Sequence, residues 1–102
     1  MLTANPRKNI MIVEGLVEET LPRCLSTRVF CFAWIDMDLY EPTSFAYKFL
    51  ENRVHVGGVI GFHDYRYIRC PGIQKVVDEE VDKERYQKVF LGNNCIFLQR
   101  VK

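Results

Sequence analysis

The sequence predicts an α/β domain with a mostly parallel sheet and a C-terminal antiparallel β-hairpin. Three observations carry this. Short apolar runs alternate with helical stretches in the order β-α-β-α-β-α-β-β. The second run, residues 29–36 (V-F-C-F-A-W-I-D), is apolar without alternation, as a strand buried on both faces should be. The chain closes with two strand-like runs joined by Gly92-Asn93-Asn94, a hairpin turn.

Each element has its own signal. Residues 9–14 (N-I-M-I-V-E) read as a first strand, stopped by Gly15. Residues 16–25 set Leu16, Val17, Leu21 and Leu25 on one helical face, and Pro22 keeps that helix short or broken. Residues 29–36 form the second strand. A helix follows over residues 42–53, with Pro42 suited to its first turn and Phe45, Ala46, Phe49 and Leu50 inward. Gly57-Gly58 end that segment, and residues 59–63 (V-I-G-F-H) make the third strand. Pro71-Gly72 open a last helix with Ile73, Val76, Val77 and Val81 inward. Lys75, Glu79 and Lys83 form i,i+4 pairs on its wet face. Residues 88–91 and 95–101 complete the hairpin.

Composition bounds the function. The 102 residues make one domain, and 48% apolar with 26% charged residues excludes a disordered chain. Fourteen Lys and Arg against thirteen Asp and Glu leave a net charge of +1, so nucleic acid is not the expected main partner. The longest apolar run, residues 29–35, is too short to span a membrane. Residues 1–9 hold no apolar signal core, so a cytoplasmic location is expected. Cys24, Cys31, Cys70 and Cys95 form no C-x-x-C pair and read as free thiols. His55 and His63 show no zinc-ligand spacing with them, and His55 reads as a surface residue.

In open α/β sheets, ligands bind beyond the carboxyl ends of the strands. Those ends are residues 14–15, 36–38 and 63–65, each with an acid. Alternation puts Asp36 and Asp38 on one side, with Met37 opposite. If the second and third strands are neighbours, Asp36 faces Asp64 at about 5 Å. Carboxylates so close need a cation or a shared proton, and Mg²⁺ prefers such oxygens. The same acids could instead cap helices or bind loop amides. His63 fits a ligand, a base or a plain hydrogen-bonding role. Tyr40 and Tyr65 read as rim packing, with the floor of a ligand pocket as the alternative, and Trp34 as core.

The pieces F-A-W-I-D-M-D-L-Y-E-P-T, G-G-V-I-G-F-H-D-Y and P-G-I-Q-K-V-V-D-E, in this order, resemble the C-terminal half of class I S-adenosylmethionine-dependent methyltransferases. The nearest branch is that of the macrocin-type sugar O-methyltransferases. The earlier V-E-G-L-V-E-E-T-L-P fits the same branch, so the resemblance spans residues 10–100. It implies a three-layer Rossmann-like domain. It also implies catalytic and Mg²⁺-binding roles for Asp36, His63 and Asp64, beside the hydroxyl of a small-molecule acceptor. His63 stands where the family often has a second Asp. Gly15, Val17 and Glu18 match a segment bordering the adenine of the S-adenosylmethionine cofactor.

The family's glycine-rich cofactor loop and its first two βα units have no counterpart. The resemblance therefore implies a single truncated methyltransferase-like domain over residues 1–102. Three consequences are expected. The strand at residues 10–14 pairs with residues 31–36 or with another chain. All helices lie on one sheet face. A homo-oligomer partner, a complementing chain or a missing segment of the natural protein covers the other. The first function expected is metal-assisted O-methyl transfer. The second is a non-enzymatic, dimerising remnant or subunit. A third is a haloacid-dehalogenase-like phosphotransfer enzyme, from D-x-D after an apolar strand, although Leu39-Tyr40 fit that motif poorly.

Overall fold

The computed structural model describes residues 2–4 and 9–102. The elements are β1 (Leu2–Ala4), β2 (Met11–Val13), α1 (Val17–Leu25), β3 (Phe30–Ile35), α2 (Tyr40–Leu50), β4 (Val54–His63), α3 (Pro71–Lys75), β5 (Tyr86–Leu91) and β6 (Cys95–Arg100). A π-helical turn, Val76–Glu80, continues α3. The four cysteines are free.

The main sheet has the order β3-β4-β6-β5. Only β3 and β4 run parallel; β6 is antiparallel to both β4 and β5. The sheet is therefore mixed, where a mostly parallel one was expected. The cause is local. The Gly92-Asn93-Asn94 turn forces β5 and β6 to be antiparallel, and β6 inserts directly beside β4.

The strand expected at residues 9–14 shortens to Met11–Val13. It pairs antiparallel with β1, Leu2 opposite Val13, in a separate two-stranded sheet. It does not join β3, as one expectation had it. Residues 2–4 showed no apolar run long enough to announce a strand, so this pairing was hidden.

One helical layer covers one face of the main sheet. Ile35, Ile60, Phe62, Ile96 and Leu98 point into it and pack with Ala46, Tyr47, Leu50, Ile73 and Val76 in a single core. Across the sheet lies an uncovered face, where Phe32 is 51%, Trp34 42% and Phe90 56% exposed. Among the described residues the domain thus has two layers rather than three. Trp34 belongs to the bare face and not to the core.

Gly57-Gly58 do not end a segment; they lie inside β4. The register steps from Phe30 opposite Val54 to Phe32 opposite Val59, so β4 bulges there. Gly57 has φ 92, open to glycine with little strain. A Cβ on Gly58 would sit 2.6 Å from Val54 Cγ1 and 2.9 Å from the Cys31 carbonyl oxygen. Composition at these positions therefore follows from a kinked strand, not a loop.

A polar clasp fastens the helical layer. The Tyr40 and Ser44 hydroxyls donate to the Glu80 carboxylate, and Lys48 Nζ lies 3.5 Å from it. Burial pushes the Glu80 carboxyl up, but the Ser44 and Tyr40 hydrogen bonds and the Lys48 charge outweigh it and hold it below the usual carboxylate range.

Candidate functional site

The parallel pairing of β3 and β4 builds the site. Ile35 lies opposite Phe62, so the next residues, Asp36 and His63, emerge side by side at the carboxyl ends. The chain then turns sharply in both places. Asp38 (φ 60) and Asp64 (φ 62) adopt the left-handed backbone conformation, which Asp tolerates better than most residues. These turns bring Asp36, Asp38, His63 and Asp64 together, with one potential ligand atom from each within 4.8 Å of all the others.

His63 sits at the centre. Its Nδ1 is 3.2 Å from Asp36 Oδ1 and 3.0 Å from Asp64 Oδ2. That nitrogen is buried yet makes no hydrogen bond of good geometry. The two approaches are close in distance but not aligned, which leaves a buried polar atom facing carboxylates without a directional partner. The Trp34 ring, 5.8 Å from the imidazole, walls one side.

The electrostatics are those of crowded anions. A hydrogen bond with Asp64 pushes the Asp38 carboxyl up from its ordinary value, helped by desolvation and the Asp64 and Asp36 charges. Nearby, the buried Cys70 thiol is pushed up, first by desolvation and then by the field of Asp64, Asp38 and Asp36. It stays protonated near neutral pH.

Three carboxylates and one imidazole suit a hard divalent cation, with carboxylate oxygens dominating the set. The orphaned His63 Nδ1 is the atom such an ion would satisfy. The residues present therefore fit a metal ion.

A crevice of about 510 Å³ lies between the starts of α1 and α2, lined by Leu16, Val17, Glu18, Leu39, Tyr40, Glu41 and Pro42. It begins one residue after Asp38. Its size falls in the range of small-molecule sites. Of the three residues expected to border the cofactor, Val17 and Glu18 line it. Gly15 does not line it but makes the entry turn. Its φ of 133 and a would-be Cβ 3.0 Å from Thr20 Cγ2 both call for glycine.

The structure thus brings Asp36, His63 and Asp64 into one cluster and places Val17 and Glu18 in a crevice beside it. Asp38, placed beside Asp36 by the D-x-D spacing, joins the cluster as well. Tyr40 both lines the crevice and anchors Glu80, for which the sequence holds no local signal because 40 residues separate them.

Known proteins resemble this chain over most of its residues. The family model described as macrocin-O-methyltransferase (TylF) matches residues 6–93. An apo structure of CalS11, a TDP-rhamnose 3'-O-methyltransferase of calicheamicin biosynthesis, superposes with a TM-score of 0.74 at 26% identity; the match covers 85% of this chain and 39% of that one. The O-methyltransferase NovP superposes at 0.72 and 26% identity, covering 86% and 36%. No curated protein sequence matches. The chain spans less than two-fifths of the length of these solved structures. With most of its residues matched by the family model, this chain belongs to the macrocin-O-methyltransferase (TylF) family.

Proposed function

We propose that this chain is the metal- and acceptor-binding portion of an S-adenosylmethionine-dependent O-methyltransferase. The observation that carries the proposal is the convergence of Asp36, His63 and Asp64 around an unpartnered His63 Nδ1, in a chain of this family. Asp36, His63 and Asp64 would hold Mg²⁺ or Mn²⁺, with Asp38 at its edge. A cation bound there lowers the pKa of an acceptor hydroxyl and orients it. This chain's own part is positioning. The left-handed turns at Asp38 and Asp64 aim the carboxylates, and Trp34 screens the imidazole from one side.

The crevice at Val17, Glu18 and Tyr40 is the proposed seat of the adenine end of the cofactor. The Glu18 and Glu41 carboxylates are the acceptors available there for hydroxyl or amino groups. Four free cysteines support a reducing, cytoplasmic setting.

A second reading is a non-enzymatic remnant that folds and holds a cation without cofactor. Its support is that the carboxylate cluster is assembled entirely by residues of this chain. Family membership weighs against the phosphotransfer reading.

Calorimetry separates the two readings. Titration with Mg²⁺ should give a single-site heat that Asp64→Asn weakens at least about tenfold. Titration with S-adenosylmethionine should give a second heat. Cation binding without cofactor binding would favour the remnant, and neither heat would overturn both.

A further inference from the structure

The last helical segment carries a carboxylate where its pattern calls for an apolar residue. Ile73, Val76 and Val77 are buried, and the next position of that stripe is Glu80, whose side chain is only 15% exposed. Burying a carboxylate costs free energy unless partners offset it. Helix α2 supplies three. Tyr40, Ser44 and Lys48 follow one another at i,i+4 spacing and turn their polar groups to this one acid. The π turn ends at this acid: the Val81 N–H donates to the Val76 carbonyl, five residues back, at 3.1 Å. Ser44 and Lys48 serve the packing of α2. Tyr40 does more, because it also lines the crevice beside Leu16, Val17 and Pro42. Helix α3 grips Tyr40 at two further points. Lys75 Nζ lies 4.7 Å from its ring centroid, and a Cβ on Gly72 would come within 2.6 Å of Tyr40 Cβ. Gly72, Lys75 and Glu80 do not themselves line the crevice, so α3 and its π turn act on it through Tyr40.

We propose that Glu80 is a positioning residue for the crevice: by fixing the Tyr40 hydroxyl, it holds the ring as a rigid wall against which a flat aromatic base packs. The inference rests on the reading of this crevice as the seat of the cofactor's adenine end. A tyrosine in the first turn of a helix can change rotamer when only its backbone is held. Tyr40 is held at its backbone, its ring and its hydroxyl, by three residues of one neighbouring element. A base that packs on a ring already fixed meets no side-chain ordering cost there. This gives the carboxylate on the buried stripe a use that an apolar residue of the same size could not supply.

Calorimetry with S-adenosylmethionine and methyl NMR spectra, both on the whole chain, test it together. Glu80→Ala should weaken cofactor binding about tenfold. Glu80→Gln should weaken it less, because its amide oxygen still accepts one hydroxyl. Ser44→Ala also takes a hydroxyl from Glu80 but leaves Tyr40 bonded, so its affinity should stay within about twofold of wild type. Equal losses in Ser44→Ala and Glu80→Ala would mean a merely structural clasp and would overturn the proposal. So would an unchanged affinity in Glu80→Ala. The NMR arm needs no cofactor. Release of the Tyr40 ring in Glu80→Ala should shift the Leu16, Val17 and Leu39 methyl signals through its ring current, and Ser44→Ala should leave them in place. A wild type that gives no cofactor heat would overturn the cofactor reading. The methyl signals would then decide the positioning of Tyr40 by themselves, and signals unmoved by Glu80→Ala would overturn it. Should Glu80→Ala fail to fold, Tyr40→Phe, which keeps the ring and loses only the hydroxyl, takes its place in both arms.

Discussion

The two faces of one sheet differ more than their sequences do. On the covered face, Ile60 and Phe62 are fully buried beneath α2 and α3. On the other, Phe32 and Trp34 alternate along β3 with Ala33 and Ile35, the partners of Ile60 and Phe62, and with Phe90 they are equally apolar yet exposed. Composition therefore records that both faces need cover; connectivity decides which receives it. The parallel link from β3 to β4 carries α2 to one side, and α3 with its π turn packs against α2 on that same side. The covered face holds the fold, and the bare one leaves its aromatic rings exposed.

The contrast can be broken in order of effect. Phe62→Ala, on the covered face, should cost about 3–5 kcal/mol in urea unfolding, from lost transfer energy plus a cavity. Equal losses from Phe62→Ala and from a bare-face change would erase the distinction. Gly61→Ala forces a methyl into the Trp34 and Phe97 rings, and overpacking should cost about 1–3 kcal/mol. A neutral result would mean that the ring layer yields freely because nothing covers it.

Glu80→Gln loosens the clasp on the helical layer and should cost about 1 kcal/mol at pH 7. The sign with pH follows from the lowered Glu80 carboxyl. Its stabilisation is present above the ordinary carboxylate pKa and lost as pH falls through the depressed folded value. The gap between wild type and Glu80→Gln should therefore close in acid and be full at neutral pH; a gap that widened in acid would refute the clasp. Smallest is Phe90→Ser, on the bare face, which should change monomer stability by less than about 0.5 kcal/mol when measured by chemical unfolding at low concentration.

The site was more legible than the sheet that presents it. Asp36, His63 and Asp64 could be placed together because the ends of two apolar runs are local features, and parallel neighbours bring such ends together. Trp34 was misread as core, since a strand apolar on both sides says nothing of which side is covered. The start of β4 was missed because Gly57-Gly58 mark a bulge as readily as a stop. The antiparallel hairpin was legible, but the strand order was not, because β6 inserts between β4 and β5, a choice of neighbour that periodicity cannot express. The π turn and the Tyr40–Glu80 bond rest on contacts between distant residues.

The central claim is that a divalent cation sits where β3 and β4 end. Paramagnetic Mn²⁺, standing in for Mg²⁺, tests it most directly in amide NMR spectra of the whole chain. The account predicts selective broadening at residues 36–38 and 63–65, abolished in Asp36→Asn/Asp64→Asn and reversed by excess Mg²⁺. Broadening centred instead on the acids of Val76–Glu80, or spread evenly over the surface carboxylates, would contradict it.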